Sequence, residues 1–93
     1  MDNFVDVDQV TGTYLLRGCF DKFTIPKQWQ EIAPLFNKTK PIVIDLSAII
    51  ECDSALIALL VEVKRKYPEI SIVNVPENLT LLLDLYQVKQ LLF

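Results

Sequence analysis

Apolar residues recur along the chain in two patterns, short runs of strand length and longer stretches at helical spacing. Phe4, Val5 and Val7 predict a first strand, with Asp8-Gln9 leading into a turn at Thr11-Gly12. Thr13-Tyr14-Leu15-Leu16-Arg17 predicts a second strand, rich in β-formers and ended by Gly18. Together they read as an N-terminal hairpin. Residues 19–25 read as a loop. Thr24 suits an N-cap and Pro26 the first turn of a helix, and Trp29, Ile32, Ala33 and Phe36 follow at i, i+3, i+4 and i+7. Pro34 predicts a kink or break in that helix, and residues 37–41 a loop.

Ile42-Val43-Ile44-Asp45-Leu46 is a nearly continuous apolar run, the pattern of a central strand covered on both faces. Residues 47–52 read as a connecting segment. Asp53 or Ser54 caps the next helix, expected over Ser54–Lys66 and stopped by Tyr67-Pro68. Residues 70–73 predict a fourth strand. Pro76-Glu77 opens a further helix with Leu79, Leu82, Leu83 and Tyr86 as its buried stripe, and residues 88–93 read as one more helical turn. The order is ββαβαβα. It implies an α/β fold in a single domain over residues 1–93, with a mixed sheet of about four strands and three to four helices that predominantly cover one face. Crossover helices make the strands of the second half parallel neighbours.

The helix from Ser54 carries more apolar surface than one core stripe needs. At about 100° per residue, Leu56, Leu59, Leu60, Val63 and Tyr67 cluster on one side. Ser54, Ile57, Ala58, Val61 and Arg65 lie opposite, where a solvated helix is charged. Two readings follow. Either other elements of the same domain cover this second face, or it docks on another protein through helix-face geometry. On the second reading Ile57, Ala58 and Val61 are solvent-exposed in the free domain. They form the apolar centre of a contact that Asp53, Ser54 and Arg65 flank.

Composition narrows the function classes. The 93 residues are 52% hydrophobic and 23% charged, which excludes disorder. A mean hydropathy of +0.33 is high for a chain that buries only about 60–65% of its surface, and the surplus points to a partner face. The net charge of −3 argues against nucleic-acid binding. No apolar run approaches the roughly 18 residues of a membrane span, and the N-terminus shows no signal-peptide pattern, so direct membrane insertion is not expected. The chain has no histidine, which removes the commonest general base and excludes Ser-His-Asp catalysis. Gly12 and Gly18 stand alone, so no phosphate loop exists. Cys19 and Cys52 lack metal-ligand spacing and are expected as reduced thiols. No catalytic residue, metal or cofactor is expected.

The stretch Ile42-Val43-Ile44-Asp45-Leu46-Ser47, followed by Cys52-Asp53-Ser54-Ala55-Leu56-Ile57-Ala58-Leu59-Leu60, resembles the STAS domain family. That family includes anti-sigma-factor antagonists, C-terminal domains of sulfate transporters and related adaptors. The resemblance runs from about Thr13 to the C-terminus. The segment Val75-Pro76-Glu77-Asn78-Leu79, with Leu85-Tyr86-Gln87-Val88, is most similar to the small cytoplasmic STAS subunits of ABC transporters. Those transporters move phospholipids for outer-membrane lipid asymmetry. The resemblance implies a non-catalytic adaptor that binds the ATPase subunit, and through it a permease complex. It would be cytoplasmic and peripheral to the inner membrane. In the antagonist branch the serine after the aspartate is phosphorylated by a Ser/Thr kinase anti-sigma factor, and Ser54 is the matching position. That branch continues with a serine and a glycine, whereas this chain has Ala55-Leu56. The regular helix start favours a constitutive contact over a kinase switch.

Overall fold

The computed structural model describes residues 4–87 and 89–92. Strands β1 (Val5–Asp8) and β2 (Thr13–Phe20) form an antiparallel hairpin in register from Val5↔Leu16 to Asp8↔Thr13. The Asp8 carboxylate accepts the Val10 and Thr11 amides at its tip, and the Gly12 amide donates to the Asp8 carbonyl. Gly12 has φ of 72°, and a Cβ there would lie 2.9 Å from both Ile42 Cγ1 and the Lys40 carbonyl. Only glycine fits both the backbone conformation and the space. The Gly12 carbonyl in turn accepts the Ile42 and Val43 amides, which ties the hairpin tip to the start of β3 (Val43–Cys52).

Strand β3 runs parallel to β2 from Thr13↔Val43 to Phe20↔Cys52, and β4 (Ser71–Val73) runs parallel to β3 on its other side. The sheet order is β1-β2-β3-β4, a four-stranded mixed sheet. Helices α1 (Ile25–Ile32) and α2 (Leu35–Lys38) connect β2 to β3, and α3 (Ser54–Lys66) connects β3 to β4. Helices α4 (Glu77–Tyr86) and α5 (Lys89–Leu92) follow. The break between α1 and α2 falls at Ala33-Pro34, where proline supplies no amide to continue the helix.

Alternation along the strands buries one face of the sheet. Tyr14, Leu16 and Phe20 of β2, Ile44 and Leu46 of β3 and Ile72 of β4 all join one core with Leu56, Leu60, Val63, Leu79 and Leu83 of the helices. Phe36 of α2 meets Tyr14, Trp29 and Tyr67 edge-on, with centroids 4.9, 5.7 and 5.5 Å apart. The Tyr14 hydroxyl donates to the Thr39 carbonyl at 2.6 Å, with the Leu35 carbonyl at 2.9 Å sharing the proton. Burial, then the neighbouring Tyr67, pushes the Tyr14 phenol above its usual range.

Two boundaries differ from the sequence reading. Residues 47–52 are not a connecting segment but the second half of β3, and β2 continues through Cys19 and Phe20. Ser47 and Glu51 break the apolar run, so the strand is invisible to hydropathy. Pairing between the two strands sustains it, with register shifts at Leu15/Arg17 and Gly18/Cys19 and with Gly18 at φ of 90°. The expected tail helix forms α5, with Leu92 buried. Expectations placed on Met1, Asp2, Asn3, Val88 and Phe93 lie outside the described residues.

Candidate functional site

The start of α3 is held more firmly than a single cap would hold it. Asp53, in extended conformation, accepts the Ala55 amide on Oδ1 at 2.8 Å and the Lys22 amide on Oδ2 at 3.1 Å. One carboxylate therefore caps the helix and ties it to the β2–α1 loop. That loop is ordered in turn by Asp21, whose Oδ1 accepts the Phe23 and Thr24 amides at 2.9 and 3.0 Å. The Cys19 thiol donates to Asp21 Oδ2 at 3.2 Å. This bond holds the Asp21 carboxyl below its usual range, with the Thr24 amide adding to it, and the same bond is the main cause that pushes the Cys19 thiol up. Gln28 Nε2 donates to the Cys19 carbonyl at 2.8 Å and fixes α1 against β2.

Because Asp53 is the cap, Ser54 is not. Ser54 occupies the first turn, exposed, and its hydroxyl makes no hydrogen bond among the described residues. Ala58 and Arg65 are also exposed on this side, and Arg65 pairs with Glu62 at 3.1 Å. Val61 is half-buried against the core. Ile57 departs from expectation, since it is 6% exposed and belongs to the core. Leu59, expected inside, is only half-buried. The buried stripe of α3 is Leu56, Ile57, Leu60 and Val63, rotated from the predicted one because α4 and α5 pack beside α3. Asp53, Ser54, Ala58 and Arg65 thus share the outer side, Val61 lies at its margin, and Ile57 supports the helix from within.

The other flank of α3 is open, and the sequence reading missed it. Ile25, Pro26 and Trp29 of α1 face Ala55, Ala58 and Leu59 of α3 across a groove of about 410 Å3, with Lys22 and Glu62 also lining it. Phe23 projects from the adjoining loop, 80% exposed, with the Lys22 ammonium 5.1 Å from its ring centroid. The available signal was the pair Ile25 and Trp29 at i, i+4, which puts a second apolar helix edge beside α3.

Little else in the described residues resembles a reactive site. Cys52 accepts a hydrogen bond from Asn78 Nδ2 at 3.4 Å, and burial pushes its thiol up. Both cysteines are unbridged. No cluster of three metal-ligating side chains occurs among the described residues, and no helix among them is long and apolar enough to cross a membrane. A mixed four-stranded sheet whose third strand delivers Asp53-Ser54 to a helix start is the arrangement of a STAS-type domain. The family model described as "Mlab, STAS domain" matches residues 4–93, and the chain belongs to that family. No curated protein matches it.

Proposed function

We propose that this chain is a non-catalytic adaptor that binds the ATPase subunit of an ABC transporter for phospholipid trafficking and outer-membrane lipid asymmetry. It works in the cytoplasm, held at the inner membrane by the ATPase and its permease. The carrying observation is the outer side of α3, where a helix start fixed by Asp53 presents Ser54 and Ala58 to solvent. A preorganised helix face loses little freedom on docking. Val61 and Arg65 border the contact, Ile57 braces it from within, and membership of the MlaB-type STAS family supports the choice of partner.

Co-expression of the tagged chain with the ATPase and permease of the same organism tests the proposal. The wild-type chain is expected to co-purify with both, while Ser54→Arg and Ala58→Glu, both at exposed positions of α3, lose the complex and keep a folded circular-dichroism spectrum. A charge buried without a partner costs about 3–5 kcal/mol, more than a hundredfold in affinity. Normal recovery of the complex with both variants overturns the assignment of this face.

One observation favours a second reading, that of an anti-sigma-factor antagonist phosphorylated at Ser54. The hydroxyl is exposed and is not consumed by capping. A phosphate there adds about −1.5 to −2 charges beside the positive end of the helix, where the fold tolerates them and a docked partner does not. Intact-mass measurement of the chain from its native cell distinguishes the readings, since a Ser54 phosphate and a co-purifying kinase support the second.

A further inference from the structure

Four of the eight large apolar side chains that are more than half exposed among the described residues lie on α4 and α5, at Leu81, Leu85, Tyr86 and Leu91. Leu79 and Leu83 of α4 turn inward, so this helix carries apolar side chains on both sides. Leu81 and Leu85, 64% and 71% exposed, stand one turn apart on its outer side. Glu77, Asn78 and Asp84 share that stripe and are exposed too. The contact proposed above for α3 uses none of these residues.

The two ends of the stripe differ in charge. Glu77 opens α4, and Lys89 opens α5 just past the other end of α4. Both are exposed, and neither has an ion-pair partner among the described residues. A surface with one sign at each end and two leucines between complements a copy of itself turned end for end. About an axis between Leu81 and Leu85, such a copy sets each Glu77 towards the Lys89 of the other and packs leucine ridge on leucine ridge. It also opposes the two helix dipoles, whereas a parallel pair brings like ends together. The arrangement is isologous and closes at two copies. The acidic Glu77 and Asp84 repel an anionic lipid surface, which weighs against a membrane as the occupant. We propose that the outer side of α4 is the interface of a twofold dimer of this chain, with the two α4 helices antiparallel. A standard interface takes about 800 Å2 from each partner, more than these few side chains offer, so the dimer is weak and dissociates in the micromolar range.

The full chain is followed by sedimentation velocity from about 1 to about 500 μM. Its weight-average mass is expected to rise with concentration from 10.7 kDa toward twice that value. Leu85→Lys, at an exposed position, is expected to weaken self-association about tenfold or more with an unchanged circular-dichroism spectrum. Glu77→Lys and Lys89→Glu are each expected to weaken it several-fold, and both together in one chain to restore it. A chain that stays monomeric throughout overturns the proposal, as does a dimer that Leu85→Lys leaves intact. A dimer that the double exchange does not rescue overturns the antiparallel arrangement. Flotation of a monomeric chain with vesicles of anionic phospholipid, lost in Leu85→Lys, assigns the surface to lipid and overturns the dimer.

Discussion

The two flanks of α3 are built from similar residues and meet different fates. On one flank Ile57 is buried and Val61 half-buried, and α4 and α5 lie beside the helix with Leu79, Leu83 and Leu92 at most 1% exposed. On the other flank Ala55 and Leu59 remain half-exposed, because α1 stands off and leaves a groove. Apolar character therefore does not mark which flank of this helix stays open. What marks it is whether the rest of the chain has enough length to close over a given flank. The closed flank contributes stability, and on the proposed adaptor reading the open side takes part in recognition, so substitutions on the two should separate folding from binding.

The largest effect is expected at the middle of the buried stripe. Leu60 is 1% exposed, and Leu60→Glu places a carboxylate in an apolar core at a cost comparable to the whole stability of a small domain, about 5–15 kcal/mol. The variant should lack cooperative thermal unfolding by circular dichroism. Next comes the direct test of the closed flank. Ile57→Ala should lose about 2–4 kcal/mol in urea denaturation, whereas the adjacent exposed Ala58→Ser should stay within about 0.5 kcal/mol. Equal, small effects would mean that Ile57 is not sealed by the C-terminal helices.

A smaller contrast separates the two residues that begin α3. Asp53→Ala removes a cap and the bond to the Lys22 amide, with an expected loss of about 1–2 kcal/mol. Ser54→Ala should change stability by less than about 0.5 kcal/mol while altering partner binding, measured on the same protein by urea titration and co-purification. If Ser54→Ala destabilises as much as Asp53→Ala, the serine is structural and the recognition role fails.

The smallest effect is in acid. Asp21 is held low chiefly by the Cys19 thiol. At Asp45 burial opposes ionisation, but bonds from the Ser47 amide at 2.9 Å and Asn74 Nδ2 at 3.1 Å outweigh it and bring the carboxyl down. A carboxyl lowered on folding binds a proton less readily in the folded chain than in the unfolded one. Its stabilisation is complete above the ordinary carboxylate range, near pH 4, and is lost as pH falls through the folded value. Stability measured by urea titration should therefore drop below about pH 4, and Asp21→Asn and Asp45→Asn should each flatten that limb. Both groups lie near the surface, so each change is modest.

Local patterns were sufficient for much of the architecture. The hairpin turn at Thr11-Gly12, the interruption at Pro34, the apolar run that enters β3 and the α3 range all follow from side-chain chemistry within a few residues, and so were legible directly. So was the Asp53-Ser54 helix start, since its residues act on their own backbone. The second half of β3 was not legible, because Ser47 and Glu51 carry no strand signal and the pairing comes from residues 17–20, some thirty positions away. The division of labour between Asp53 and Ser54 likewise depended on the distant Lys22 amide. Sequence alone determined that α3 has more apolar surface than one core stripe requires. Only the tertiary structure decided where the surplus goes, turning Ile57 inward and leaving Leu59 at a groove, because burial is set by which neighbouring elements reach a helix flank and not by the helix's own periodicity.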